Sequence, residues 1–504
     1  LNNYDYTIEA APRMIAAGDK ESVANKLAAV LDRPVEEMLD KVQGNAPYVQ
    51  IARHVPRDAG KAVIALHEQG IFCLPLAVRI YPEGTLAAHA LGFVAGDAEE
   101  GTKGYYGVEG FYDRTLKGQT GLRDERWDPW LPVSFADRRV QQWTIPQDGR
   151  TLVLTIDRTI QYLIEQELHA AVKRYGAESG SIVVMDPKTG ALLAIASYPT
   201  YDPNRFDETS PDLLVDPVVG IHYEPGSTFK IITMAAALDT GLVQPTDIFV
   251  DVGEIEVGGR ILKNWDKRAY GTVTMTEILV RSLNTGIAHV STVLGPERFY
   301  QYVSRFGFGH KTGIDLEGEV PGATRQPGDP EWHESDLGTN SFGQGLAVTP
   351  LQMVVAAGAI ANRGVVMRPY VVEELVEEDR SIRAKQVSAG QVIGEDTAQL
   401  LTEMMVKVVD QGTPLAQVEG YRIAGKTGTA QTPVVGGYDP NLTIASFVGF
   451  APADDPQFVV LVKLDKPTAS PWGTETAAPA FANVARILFT QLEIPPDEVR
   501  MAMN

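Results

Sequence analysis

The sequence predicts an α+β fold in which antiparallel strands and helices share a core without strict alternation. Three observations carry this. Helical apolar spacing and strand-plus-turn signals interleave along the 504 residues with no regular strand–helix repeat. Two apolar runs, Ser181 to Asp186 and Ala191 to Ser197, are joined by Pro187-Lys188-Thr189-Gly190, a hairpin signature; Ser446 to Phe450 and Phe458 to Leu464 form a similar pair across Pro452-Ala453-Asp454-Asp455-Pro456. The segment Ile231 to Leu238 is apolar almost all round, which marks a buried helix.

Taken in order, residues 1 to about 150 mix short helical and extended pieces. Helical spacing falls on Lys26 to Leu31, on Val35 to Leu39 and on Lys61 to Gln69, the last stopped by Gly70. From Val78 to Gly121 glycine and proline recur, as in turns and short strands, and Gln147-Asp148-Gly149 marks a boundary. Beyond it, Thr151 to Thr155 reads as a strand, and Asp157 as the cap of a helix running to about Arg174. Leu337 to Asn362 is the longest uncharged stretch; its glycines, Gln344 and Gln352 make it a loop entering a helix, with Thr349 as N-cap and Pro350 in the first turn, rather than a membrane span. The division expected is therefore 1–150 and 151–504.

Composition narrows the function classes. Hydrophobic residues at 44% and charged residues at 22% are globular values and exclude intrinsic disorder. A net charge of -21 repels phosphate backbones, so nucleic acid is excluded as a principal partner. One cysteine, Cys73, excludes an intramolecular disulfide, a Cys-rich zinc site and an iron–sulfur cluster, and its apolar neighbours Phe72 and Leu74 make it a packing residue rather than a nucleophile. The eight histidines show no ligand spacing. The chain opens at Leu1 without a methionine, as though cut from something longer, so the lack of a leader or anchor says nothing for the cytoplasm.

Three motifs carry chemistry. Ser227 lies in Tyr223-Glu-Pro-Gly-Ser-Thr-Phe-Lys230, after a Pro-Gly turn and at the start of the buried helix, where free backbone N–H groups stabilise a developing oxyanion. Lys230, three residues on, projects from the same face, and burial lowers a lysine's pKa enough for it to act as base; an N-cap serine beside a surface lysine is the alternative. This is the chain's single Ser-x-x-Lys, and Ser282-Leu-Asn284 its single Ser-x-Asn. Ser282 could relay a proton and Asn284 hold a substrate amide; alternatively they end a helix in a turn. Lys-Thr-Gly occurs at 188, 311 and 426, and the first two sit in turns. The third follows the extended Tyr421-Arg-Ile-Ala424; there Gly428 lets a substrate backbone approach and the Thr429 N–H can point into a cleft. Gly420 to Thr427 also fits the phosphate-loop pattern, but no helix can open at Lys426-Thr427 ahead of Gly428 and Pro433, so that match is chance.

In that order, Ser227-x-x-Lys230, Ser282-x-Asn284 and Lys426-Thr427-Gly428 resemble the three motifs of penicillin-binding transpeptidases and serine β-lactamases. Phe342-Gly-Gln-Gly345 before Thr349-Pro-Leu-Gln352, and Lys-Thr-Gly-Thr-Ala-Gln431, are also similar to this family. Arg79-Ile-Tyr-Pro-Glu-Gly84, Ala87-Ala-His-Ala-Leu-Gly-Phe93, Gly107-Val-Glu109 and Leu116-Lys-Gly-Gln-Thr-Gly121 resemble the pedestal of class B penicillin-binding proteins, nearer the division-type branch.

The resemblance implies a transpeptidase domain, an antiparallel sheet flanked by helices, preceded by an elongated α+β pedestal. It implies peptidoglycan cross-linking without metal or cofactor: Ser227 attacks the D-Ala-D-Ala carbonyl of a stem peptide, Lys230 is the base, Ser282 relays the proton and Asn284 orients the donor. Lys426 lowers the pKa of Lys230, Thr427 and Thr429 hold the terminal carboxylate, and the N–H groups of Ser227 and Thr429 form the oxyanion hole. Implied partners are stem peptides, the lipid-linked precursor, β-lactam antibiotics, a SEDS-type glycan polymerase and other division or elongation proteins. Implied too is a single-pass anchor, missing from this chain, with the catalytic domain outside the cytoplasm. A class D β-lactamase or sensor shares Ser-Thr-Phe-Lys but usually has an apolar residue where Asn284 stands, and no Glu-x-x-Leu-Asn of a class A enzyme is present. A catalytically silent division scaffold is the remaining alternative.

Overall fold

A computed structural model describes residues 2–97, 101–118, 123–124, 142–143, 149–377, 380–434 and 437–503. The chain forms two compact units, Leu1–Gly84 with Val94–Thr102, and Thr85–Phe93 with Lys103–Asn504. Residues 85–93 and 103–118 thus pack with the second unit, on the far side of the division expected at 150. Specific polar contacts tie them there. Glu165 accepts the Ala87 N–H at 2.8 Å, His89 Nε2 lies 2.9 Å from the Leu213 carbonyl, and the Tyr112 hydroxyl donates to Asp315 at 2.9 Å. Gln147 and Asp148 of the boundary signal, and Gln119 to Gly121 of the pedestal motif, lie outside the described residues.

In the first unit β1 (Asn2–Ala10) is the centre of a three-stranded antiparallel sheet ordered β2-β1-β3. Between the strands run α1 (Lys20–Leu31), α2 (Val35–Gln43), β2 (Val49–Val55), α3 (Arg57–Ala65) and β3 (Ile71–Arg79). Val23, Leu27, Met38 and Val42 on the helices meet Ile8, Ile51 and Val55 of the sheet in one core. The helix expected at 61–69 lies four residues earlier, because extended Pro56 starts it and His67, with φ 51°, takes the chain out of helical geometry before Gly70. Cys73 is partly buried against this core, and desolvation raises its thiol pKa, which disfavours the thiolate a nucleophile needs.

The second unit is built on five antiparallel strands ordered β5-β4-β8-β7-β6, where β4 is Ser179–Met185, β5 Leu192–Tyr198, β6 Ala424–Val434, β7 Gly437–Ala451 and β8 Phe458–Asp465. Both anticipated hairpins are present. Their strands read as unbroken apolar runs because both faces are covered. Ile182, Val184, Val460 and Val462 point to α4 (Arg158–Tyr175) and α8 (Ala477–Gln491). Val183, Met185, Val459 and Leu461 point to the core that holds α5 (Lys230–Asp239), α6 (Asn284–Leu294) and α7 (Pro350–Ala361). Asp157 caps α4 by accepting the N–H groups of Thr159 and Ile160, each at 2.8 Å, and Thr349 with Gln352 forms the capping box that opens α7 at Pro350. The stretch expected to open as loop at Leu337 instead begins inside a helix, Glu334–Ser341, whose polar sequence hides a buried segment, Leu337 to Ser341, and which is started by Asp336 accepting the His333 N–H. Among the described residues no helix is long and apolar enough to cross a membrane.

Asp157→Ala removes two hydrogen bonds from the first turn of α4 and is expected to lower unfolding free energy by about 0.5–2 kcal/mol, read from the urea transition of this unit.

Candidate active site

The strand-like bridge of Tyr223 with Val348 (N–H to carbonyl 2.8 Å one way and 2.9 Å the other) delivers the chain to a sharp turn at Pro225-Gly226. Gly226 has φ 54° and donates its N–H to the Gly343 carbonyl at 3.1 Å. A Cβ on Gly343, whose φ is 81°, would stand 2.2 Å from the Gly226 carbonyl oxygen, so two backbones meet with no room for a side chain. Ser227 therefore lies in a 3₁₀ turn, Gly226–Phe229, that leads into α5, one step outside the α-helix start expected for it. It is half-buried, whereas every residue from Thr228 to Leu238 is buried.

Lys230 is 0% exposed, and its ammonium makes three hydrogen bonds: to the Ser282 carbonyl at 2.6 Å, Ser282 Oγ at 3.2 Å and Asn284 Oδ1 at 2.8 Å. These use all three N–H donors, so in the charged form none remains for Ser227. Desolvation, and secondarily the positive charge of Lys426, holds its pKa well below that of an ordinary lysine.

Ser282 follows the short helix Met275–Val280, which Thr274 and Glu277 open as a capping box. Its φ of 55° is left-handed, and this turns its carbonyl and hydroxyl together toward Lys230. Asn284 begins α6 with both ends of its amide engaged, since Nδ2 donates to the Lys263 carbonyl at 3.2 Å. Beneath it lies a set absent from the sequence reading. Asn264 Nδ2 donates to Asp251 at 2.8 Å, and Thr285 Oγ1 lies 2.8 Å from Asp251 Oδ1 and 3.0 Å from Asn264 Oδ1. All three are buried. They pin the 251–264 excursion to the start of α6, and no local spacing connects residues so far apart in sequence.

Lys426 lies on β6, the strand at one edge of the sheet. It is 1% exposed and donates to Ser282 Oγ at 3.0 Å, to the Thr427 carbonyl at 3.2 Å and to Thr427 Oγ1 at 3.4 Å. Burial pulls its pKa from 10.5 to about 7. One hydroxyl thus accepts from two buried amines, which leaves its own proton to point away from both. A Cβ on Gly428 would come 2.4 Å from Ser446 Oγ and 2.9 Å from the Pro225 carbonyl, so this glycine has a packing role beside the one expected: it seats β6 against the turn that carries Ser227. Thr429 Oγ1 accepts the Gly473 N–H at 3.1 Å, which leaves its hydroxyl hydrogen free to donate.

The structure brings Lys230, Ser282, Asn284, Lys426 and Thr427 into one hydrogen-bonded group, while Ser227, Gly428 and Thr429 join it through the packing of β6 on the 225–229 turn. Of the other Lys-Thr-Gly copies, Lys188-Thr189 lies in a turn, whereas Lys311-Thr312-Gly313, also expected as a turn, is irregular chain held by Glu319. Lys188 forms an exposed ion pair with Asp455, and Glu319 accepts from Thr312 and Gly313. Lys426-Thr427 is strand, as the rejection of a phosphate loop requires.

The family model described as Penicillin binding protein transpeptidase domain matches residues 180–486, and that described as Penicillin-binding Protein dimerisation domain matches residues 1–154. Stage V sporulation protein D of Bacillus subtilis is 36% identical, over 97% of this chain and 76% of its own length. Peptidoglycan D,D-transpeptidase FtsI of Escherichia coli K12 is 31% identical, over 96% of this chain and 79% of its own length. Among solved structures, penicillin binding protein 3 of Mycobacterium tuberculosis complexed with ampicillin has a TM-score of 0.74 at 33% identity, covering 84% of this chain and 91% of that one. Penicillin Binding Protein 2X of Streptococcus thermophilus, with a TM-score of 0.79 at 23% identity over 98% of this chain and 77% of that one, shares the fold.

The depressed lysine pKa has a consequence for stability. Between about pH 7 and pH 10.5 the unfolded chain keeps a proton on Lys426 that the folded chain has released. Unfolding free energy is therefore expected to rise with pH across that window, and Lys426→Met to flatten the rise, in urea titrations at several pH values.

Proposed function

The chain belongs to the class B penicillin-binding proteins, its relatives being of the division type, and from that premise we propose that it is a peptidoglycan D,D-transpeptidase acting through an acyl-serine at Ser227. The observation that carries this reading is the Ser282 hydroxyl shared by Lys230 and Lys426. Burial and the neighbouring charge favour loss of the Lys230 proton. The neutral amine has one donor fewer and a lone pair, and it stands one helical turn from Ser227. It takes the Ser227 proton as Oγ attacks the carbonyl of the D-Ala-D-Ala bond. Ser282, whose own proton is directed away from both lysines, passes that proton to the leaving D-Ala amine and takes one back from the protonated Lys230, which returns to the neutral amine. The ester at Ser227 is then attacked by an amine of a neighbouring stem peptide, which forms the cross-link and restores the hydroxyl.

The N–H groups of Ser227 and Thr429 hold the oxyanion; one such donor contributes on the order of 2.7–4 kcal/mol in comparable sites. Asn284 orients the donor peptide, Gly428 admits its backbone, and Thr427 and Thr429 hold its carboxylate. Water in place of the acceptor amine gives a D-Ala-D-Ala carboxypeptidase side activity. Residues 1–150 serve as a non-catalytic pedestal and 151–504 as the transpeptidase domain. The protein works outside the cytoplasm at the cell membrane, on stem peptides and lipid-linked precursor, beside a SEDS-type glycan polymerase and other division proteins.

Incubation with a fluorescent penicillin followed by peptide mass spectrometry tests the reading. A stable adduct on the Ser227 peptide, lost in Ser227→Ala, is expected; rapid turnover of a chromogenic β-lactam would make the protein a β-lactamase, and folded protein without adduct would leave a scaffold. Lys230→Ala is expected to slow acylation by about two to four orders of magnitude. In the wild type the acylation rate is expected to rise with pH as the lowered pKa of Lys230 is passed, and this rise should vanish in the variant.

A further inference from the structure

Two tryptophans lie at the rim of this site with no part in the reaction so far described. Trp265 is 55% exposed and Trp472 is 38% exposed, and their rings meet edge to face with centroids 5.0 Å apart and planes at 61°. Neither is a core residue. Each belongs to a loop fixed to one wall of the site. Trp265 stands two residues after Lys263, whose carbonyl holds the Asn284 amide, and directly after buried Asn264, which locks onto Asp251. Trp472 precedes Gly473, whose N–H donates to Thr429 Oγ1 on β6. Its loop is held as well: the Trp472 carbonyl accepts from Thr476 Oγ1 at 2.8 Å, and the Pro471 carbonyl from Thr443 Oγ1 at 3.0 Å.

The contacts therefore close on themselves. From Asn284 they run through Lys263 and Trp265 to Trp472, then through Gly473 to Thr429 on β6, whose Lys426 returns to Ser282 beside Asn284. The two indoles thus join the loop that follows Lys263 to the loop that follows β8, the first anchored at the Ser282-x-Asn284 wall and the second at β6. A single edge-to-face contact between half-exposed rings is weak enough to part for a substrate and apolar enough to exclude water once closed.

We propose that Trp265 and Trp472 form an aromatic bridge that shields the acyl ester at Ser227 from water, so that the ester lasts until an amine reaches it. The inference rests on the acyl-serine reading. Without the bridge, water adds to the ester carbonyl carbon, the carbon–Oγ bond breaks, Oγ regains a proton and the acyl group leaves as a carboxylic acid. Both are positioning residues, since neither supplies a proton or an electron pair.

The test uses the full chain with benzylpenicillin as probe. Intact-protein mass spectrometry follows formation and loss of the penicilloyl adduct, and thermal melting checks the fold. Trp265→Ala and Trp472→Ala are each expected to shorten the adduct half-life about five-fold or more, while the acylation rate changes by less than about three-fold. The double variant should be no faster than the faster single, because both remove the same contact. Trp472→Phe, which keeps an edge-to-face partner, should restore most of the lifetime; Trp265→Leu and Trp472→Leu, which keep apolar bulk without a ring, should not. Unchanged lifetimes in melting-competent variants overturn the proposal, and so does slower acylation with an unchanged lifetime, which would make the pair a binding platform. Wild-type protein that forms no Ser227 adduct removes the acyl-serine reading itself, a result seen before any tryptophan variant is made.

Discussion

Everything at the site depends on one hydroxyl placed between two buried lysines. Ser282 Oγ is 3.2 Å from Lys230 Nζ and 3.0 Å from Lys426 Nζ, and neither amine is open to solvent. Two like charges in a poorly polarisable interior cannot both be held cheaply, so the arrangement favours loss of a proton near neutral pH. The three residues come from points 52 and 144 positions apart in the chain. Helix α5, the turn before α6 and edge strand β6 have to be held to within a few tenths of an ångström for a single atom to serve both amines.

That tolerance is met by packing more than by polar contacts. The sheet is covered on both faces, so β6 inherits its position from β7 and β8, which are buried from Ala445 to Ala451 and from Phe458 to Leu464. On its open side β6 rests on the 225–229 turn, and that turn rests on Gly343, with glycines wherever the backbones touch. Close-packed interiors transmit small displacements rather than absorbing them, so a methyl group added at any of these points would be felt at Ser227.

What could be read in the sequence was what depends on neighbours in the sequence. The cap at Asp157, the Thr349-Pro350 start of α7, the two hairpins and the all-buried helix after Ser227 are local patterns with local causes. The three motifs were legible for a different reason, their order, which resembles that of a family; their convergence on Ser282 Oγ was not. The 3₁₀ turn at Ser227 is imposed by Gly343, more than a hundred residues on, and the helix at Glu334–Ser341 by burial that its polar sequence conceals. Asp251, Asn264 and Thr285, like Trp265 and Trp472, are partners only in three dimensions. The segments 85–93 and 103–118 read as part of the first half, yet their hydrogen bonds lie with the second.

The left-handed backbone at Ser282 bears on how this site can change over generations. Glycine would relax a φ of 55° but carries no hydroxyl, and threonine would keep the hydroxyl at the cost of a β-branched side chain in a region such residues avoid. Asparagine tolerates the backbone yet brings an amide where a single oxygen fits, and aspartate would hold both lysines in their charged forms. Of the replacements one mutation away or several, none meets both demands, so selection has almost no neutral path through this position.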